Sequence, residues 1–243
     1  MIIRLVSAAL VAGFLAAVVA TGLQLTLTSP LILAAERYEG QAALDAPGLA
    51  SLIVPVHADA GAHHGEGAVW APGAGLPRMA FTALATLVGA VGYAFLLGAA
   101  LLACGREPSP ETGLRFAVAG FLAVALAPAI GLPPELPGMG AAPLAERQFW
   151  WVMTAAATAM GLYLIAIRRV PIAILGGLVL IVAPHLAGAP GVDHASGTLP
   201  AGYAASFAAR SLAVSFVFWA AIGLAFGWSW QSFGRSRTVA ARA

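Results

Sequence analysis

Apolar residues in this chain come in long unbroken runs, not in the three-or-four spacing of a helix with one wet face. Six runs reach or approach the ~20 residues that carry a helix across ~30 Å of hydrocarbon. They cover Leu5 to Leu27, Met79 to Ala103, Leu114 to Ile130, Phe149 to Ile167, Pro171 to Leu186, and Tyr203 to Trp228. The pattern predicts an all-α polytopic bundle of six spans, one transmembrane domain over residues 1–243, embedded in a lipid bilayer. The third and fifth runs are the shortest, and both contain proline. The sizeable polar stretch lies between the first two spans, Thr28 to Pro77. It is rich in Gly, Pro and Ala with few bulky apolar side chains, which predicts a loop or small cap without its own core.

Charge sets the orientation. With the N-terminus inside, the inner segments hold Arg4, Arg106, Arg115, Arg168, Arg169, Arg235, Arg237 and Arg242, and the outer ones Arg37, Arg78 and Arg147. Both termini are then cytoplasmic, and the expected location is a bacterial inner membrane. The outer segments collect Glu36, Glu39, Asp45, Asp59, Glu66, Glu135, Glu146 and Asp193, leaving Glu107 and Glu111 inside. Because acids contribute little to topology, that bias is separate information about the outer face. A competing reading makes the first run a signal peptide cleaved near Val18-Val19-Ala20. Its apolar length, longer than a typical h-region of ~7 to 15 residues, favours a retained anchor.

Composition then narrows the function. Hydrophobic residues make up 60% of the chain and charged ones 9%, for a net charge of +2. The arginines sit where topology needs them, so nucleic-acid binding is not expected. A single cysteine, Cys104, excludes an intrachain disulfide or a thiolate cluster. The chain contains no lysine, which removes a P-loop and Schiff-base chemistry. Neither an enzyme nor a resident cofactor is expected.

A weak internal repeat relates the second and fourth spans. Thr82, Thr86 and Gly89 recur as Thr154, Thr158 and Gly161, and Ala127-Pro128 is echoed by Ala183-Pro184. The copies would run parallel; chance in an Ala/Gly/Leu-rich chain is an equal explanation. Proline inside a span frees a carbonyl four residues back and kinks the axis, tolerated where the freed group finds a partner or lines a cavity. Pro128 and Pro184 therefore mark either a broken-helix site or plain helix ends.

The densest candidate chemistry is HADAGAHHGEG, where His57, Asp59, His63, His64 and Glu66 combine imidazole and carboxylate, a donor set suited to Co²⁺, Ni²⁺ or Zn²⁺. A solvated loop is the plainer reading. His185 follows Pro184 at the outer end of the fifth span, where an ionisable group usually faces the bundle interior; a hydrogen bond to a freed carbonyl is its structural alternative. His194 beside Asp193 lies in the next loop. Arg210, inside the last span, needs a partner, because a charge at full depth costs roughly 2.5 to 3.5 kcal/mol. Glu135, Glu36 and Glu39 are the candidates, for a structural ion pair or a gate. Phe149, Trp150 and Trp151 at one end, with Trp228 and Trp230 at the other, read as interfacial belts.

Several strings together carry a family resemblance: PLILAAERYEG (Pro30 to Gly40), WAP (Trp70 to Pro72), FTALAT (Phe81 to Thr86), GLPPELPG (Gly131 to Gly138), ERQFWW (Glu146 to Trp151) and APHLAGAP (Ala183 to Pro190). They resemble, in order and over nearly the whole chain, the CbtA-type predicted cobalt transporter subunits. The resemblance implies cobalt supply for cobalamin synthesis, a small one-helix, histidine-bearing CbtB-type partner, and often five spans. It carries over Glu36, Glu39, Glu135 and His185. The expectation is a Co²⁺ uptake subunit: the loop collects the ion and passes it to Glu36, Glu39, Glu135 and His185 at the bundle mouth. A nickel transporter or a non-transporting metal sensor is the alternative, and homo-oligomerisation stays open. The discriminator is polar lining at successive depths, which the inner halves of the spans offer sparsely.

Overall fold

The computed structural model describes residues 1–45, 72–191 and 199–240. Every regular element among them is helical, as the runs predict. In chain order they are α1 (Ile2–Leu23), a π turn (Gln24–Thr28), α2 (Ser29–Asp45), α3 (Leu76–Ala103), α4 (Pro110–Phe121), a π turn (Leu122–Leu126), α5 (Ala127–Gly131), α6 (Leu144–Tyr163), a π turn (Leu164–Arg168), α7 (Pro171–Ala187) and α8 (Ala201–Ala240). Among the described residues, five continuous helices are long and apolar enough to cross a membrane: Ile2–Tyr38, Leu76–Ala103, Pro110–Gly131, Leu144–Arg168 and Gly202–Gly234.

The fifth expected span is the short one. At 17 residues, α7 is ~26 Å long, a little under the hydrocarbon thickness. It still runs back along the whole of α6. Gly177 packs on Gly161 halfway, and the His185 ring meets Trp150 near the start of α6, 6.1 Å between centroids. Five helices thus have the length to cross, and α7 is a shorter apolar helix packed against one of them.

Helix boundaries depart from the apolar runs for local reasons. The first helix does not stop at Leu27 but continues to Asp45, so the start of the expected Thr28 to Pro77 loop is helical. The residues after Pro30, LILAAERYEGQAALD, are mostly strong helix formers. Proline 30 itself is accommodated by the π turn before it, in which the Ser29 N–H donates to the Gln24 carbonyl five residues back. The same device precedes Pro128, with Ala127 donating to Leu122, whereas the π turn at Leu164–Arg168 ends its helix, with Arg169 donating to Leu164 before Pro171 opens α7. A proline lacks the N–H for its own turn and crowds the carbonyl four residues back; widening the preceding turn relieves both. The third span begins at Pro110, ahead of its apolar run, because Ser109 and Thr112 form a reciprocal capping box and Pro110 occupies the first turn. Helix α3 ends where Gly105, at φ +63°, lets Arg106 N–H reach the Leu101 carbonyl at 2.9 Å and Gly105 N–H the Leu102 carbonyl.

Helix α1 lies at the centre, packed between α3 and α8, with α4 on the far side of α8. Its wholly buried face is Ala8, Ala9, Ala12 and Ala16, small residues that let backbones approach closely. The same logic operates where α4 crosses α8: Gly113 and Gly223 present backbone to backbone, and a methyl on either would overlap the other's carbonyl. Helices α6 and α7 form a tight hairpin against the α4–α5 side. The aromatic belts need one correction. Phe149, Trp151 and Trp228 are exposed, as anchors should be, but Trp150 and Trp230 are buried. Trp230 stacks on Phe226, donates its indole N–H to Glu107 Oε1 at 2.8 Å, and lies under the Arg4 guanidinium. It ties α1, α8 and the α3–α4 turn together at the arginine-rich end.

Candidate functional site

Two cavities lie end to end along α3. The first, about 840 Å³, is bounded by α1 and its π turn, α2, α3 and α8, and opens at the acidic end. On α3 its wall is Arg78, Thr82, Thr86, Gly89 and Tyr93, one helical face that descends ~22 Å at 1.5 Å per residue. Opposite stand Gln24 and Thr28 from the π turn and Ser211 and Ser215 from α8, so polar groups line it at successive depths. They are tied to one another: Thr86 Oγ1 donates to Gln24 Oε1 at 2.9 Å, Thr82 Oγ1 to the Arg78 carbonyl at 2.9 Å, and Thr28 Oγ1 to the Gln24 carbonyl at 3.0 Å. Four residues apart in the π turn, Gln24 and Thr28 share this wall.

At the mouth, Arg78 grips Glu36 with both guanidinium nitrogens, Nη1 at 2.9 Å from Oε2 and Nη2 on Oε1. The pair is about one-third exposed on either side. At the floor, Tyr93 meets Phe218 edge-on at 5.9 Å and Trp219 at 5.0 Å between centroids. Beyond this aromatic partition lies the second cavity, about 550 Å³, between α3, α4 and α6. Tyr93 is the residue both cavities share. The second is mainly apolar, with Arg106, Arg115 and Arg169 where it reaches the arginine-rich end.

The expected ligands divide into three sets. His57, Asp59, His63, His64 and Glu66, with Asp193 and His194, lie outside the described residues, as does the side chain of Glu39. Glu36 stands at the cavity mouth, paired with Arg78. Glu135 and His185 sit by the α6–α7 hairpin instead: Glu135 Oε2 accepts from Arg147 Nη1 at 3.1 Å, and His185 packs edge-on against Trp150. Among the described residues no three of His, Cys, Asp and Glu come together as a metal site. For Arg210, the structure gives a backbone partner and assigns Glu36 and Glu135 elsewhere, while the side chain of Glu39 lies outside the described residues. Arg210 Nη1 donates to the Leu27 carbonyl, 3.1 Å away in the first π turn, while Glu135 and Glu36 are taken by Arg147 and Arg78. The guanidinium is exposed at the bundle surface and takes a carbonyl at the same depth.

The repeated Thr-Thr-Gly face occurs on helices running the same way but does two jobs. Thr82, Thr86 and Gly89 line the first cavity, and a methyl on Gly89 would meet open space. Thr154 and Thr158 are buried with hydroxyls that lack a partner, and Gly161 abuts Gly177. Gln24, Tyr93, Ser211 and Ser215 escaped the sequence reading. The available signal was the continuation of the Thr82, Thr86, Gly89 spacing to Tyr93.

A family model described as "Probable cobalt transporter subunit (CbtA)" matches residues 2–231, nearly the whole chain. The chain belongs to the CbtA family. No curated protein and no solved structure matches it significantly. A CbtA chain is a subunit of a cobalt transporter by family description, so other subunits are implied. The cavity along α3 sets scattered hydroxyl and amide groups at successive depths in an otherwise apolar wall.

Proposed function

We propose that this chain is the membrane subunit through which Co²⁺ enters, and that the hydroxyl- and amide-lined cavity along α3 is the first half of its route. The observation that carries this reading is the depth of the polar wall. From Glu36 at the mouth, side-chain oxygens of Thr82, Thr86, Gln24, Thr28, Ser211 and Ser215 recur along a wall that descends ~22 Å between Arg78 and Tyr93, more than half the hydrocarbon thickness. A hydrated divalent ion keeps oxygen neighbours all the way, which lowers the cost of leaving bulk water. The arginine distribution puts this mouth outside.

Glu36 then acts as the receiving carboxylate. In the structure it neutralises Arg78, and an arriving divalent ion competes for it, leaving the guanidinium to swing clear of the entrance. The loop residues His57, Asp59, His63, His64 and Glu66, with Glu39, supply ions to that mouth. Glu135 and His185, held by Arg147 and Trp150, serve as an auxiliary collecting point on the α6–α7 side. An inside-negative potential supplies roughly 4.6 kcal/mol for a divalent ion at 100 mV, so no ATP site is needed in this chain.

The test is Co²⁺ uptake into proteoliposomes under an imposed inside-negative potential, with and without a small one-helix partner subunit. Uptake is expected from the wild type, and Thr86→Val with Gln24→Leu should slow it roughly tenfold by removing two polar steps. No metal-specific flux in either wild-type preparation overturns the reading. A non-transporting metal sensor predicts that outcome together with retained Co²⁺ binding.

A further inference from the structure

Both cavities have mainly apolar walls, and the second differs in the cluster of arginines at one end. Its walls on α3, α4 and α6 are apolar, and Leu96 and Ala159 on those walls are exposed side chains facing a gap between α3 and α6. At its arginine-rich end three guanidiniums, Arg106, Arg115 and Arg169, stand with the Thr112 hydroxyl. Three cations beside an apolar chamber form a poor exit for a cation and a good seat for an anionic amphiphile. Arg169 is held there as the left-handed cap of the helix end, its N–H on the Leu164 carbonyl. It is the non-glycine residue at positive φ among the described residues, +54°, with Nε donating to the Ala166 carbonyl at 2.7 Å. Arg115 is tied to Glu111 one turn earlier, in a pair that is mostly exposed and therefore weakly held.

We propose that this cavity binds an anionic phospholipid from the arginine-rich leaflet, its phosphate on Arg106, Arg115 and Arg169 and an acyl chain along the α3–α6 gap. The gap opens sideways, so the lipid enters from the bilayer without crossing water. The guanidinium fork matches phosphate oxygens in pairs, and basic pockets between spans on the positive side are where such headgroups lodge. Occupancy neutralises the arginines beneath Tyr93. The lipid site stands whether or not the chain carries cobalt.

Native mass spectrometry of the intact chain, delipidated and then titrated with phosphatidylglycerol or phosphatidylcholine of matched acyl chains, tests the proposal. Wild type should retain phosphatidylglycerol over phosphatidylcholine. Replacing all three arginines (R106Q, R115Q and R169Q together) should weaken it on the order of 100-fold, at roughly a factor of five per guanidinium. Arg168→Gln, beside the site but not lining it, should keep wild-type retention. Ala159→Trp fills the chamber while leaving every charge, and should lose the lipid as well; it keeps the test decisive where the triple variant does not fold. Inorganic phosphate should fail to displace the lipid, and displacement by it would mean a free-anion site. Equal retention of the two lipids, equal loss in Arg168→Gln, or unchanged binding in Ala159→Trp overturns the proposal. So does a protein partner that occupies the gap in lipid-free wild type and is dislodged by Ala159→Trp.

Discussion

Ion pairing in this chain was legible as a need but not as a partner list. Arg210 plainly required an acceptor, yet the acceptor is the Leu27 carbonyl, made available by a π turn that no local pattern announces. Glu36 and Glu135 were recognised as special, while their arginines, Arg78 and Arg147, were assigned to topology alone. Exchanging charges separates these cases. Glu135→Arg with Arg147→Glu should restore the folded yield that either single change lowers, whereas Glu135→Arg with Arg210→Glu should not, read as monodisperse protein after extraction. Because the Glu135–Arg147 pair is partly exposed, each single change should cost only about 1 kcal/mol. Glu36→Gln should reduce Co²⁺ uptake more than it reduces thermal stability, since its carboxylate serves the mouth as well as Arg78. Equal effects on both would leave Glu36 a structural residue.

Helices were readable from apolar runs because burial in lipid demands length and nothing subtler. Their ends were not, since capping by Ser109 and Thr112 and the π turns before Pro30 and Pro128 and at Leu164–Arg168 are backbone solutions that hydropathy does not register. The first π turn also shapes the cavity. Pro30→Ala restores a donor for an ordinary turn, which would rotate the two halves of the helix by about 100° against each other. Gln24 then leaves Thr86, so a short bis-thiol crosslinker should bridge Gln24→Cys and Thr86→Cys, in a chain carrying Cys104→Ser, readily with Pro30 and poorly with alanine. Close helix crossings give a second expectation. Gly113→Leu or Gly223→Leu should lower stability by about 1–3 kcal/mol or more through overpacking, visible as a lower thermal midpoint. Gly176→Ala, where an added methyl meets open space, should leave the midpoint unchanged or raise it.

At the scale of the molecule, the all-helical membrane architecture followed from the apolar runs. The arrangement of those helices did not, because the apolar faces of membrane helices are nearly interchangeable and small residues choose the neighbours. Placing α1 in the middle, between α3 and α8, is what lines up Gln24 and Thr28 against Thr82, Thr86 and Tyr93. That alignment has an electrical consequence. On the proposed route the cavity fills with water as the ion enters; a filled cavity would carry the potential of the outer bath down to Tyr93, leaving the voltage across the bilayer to fall mostly over the remaining third of its thickness. The field there is correspondingly steeper than in plain lipid. A Co²⁺ ion resting above the tyrosine has crossed most of the distance and almost none of the voltage, so the aromatic step alone collects nearly all of the roughly 4.6 kcal/mol per 100 mV. Uptake should rise steeply with imposed potential, and Tyr93→Ala, by letting water through the partition, should flatten that dependence; the initial rate of Co²⁺ entry across a series of potassium-diffusion potentials measures it directly.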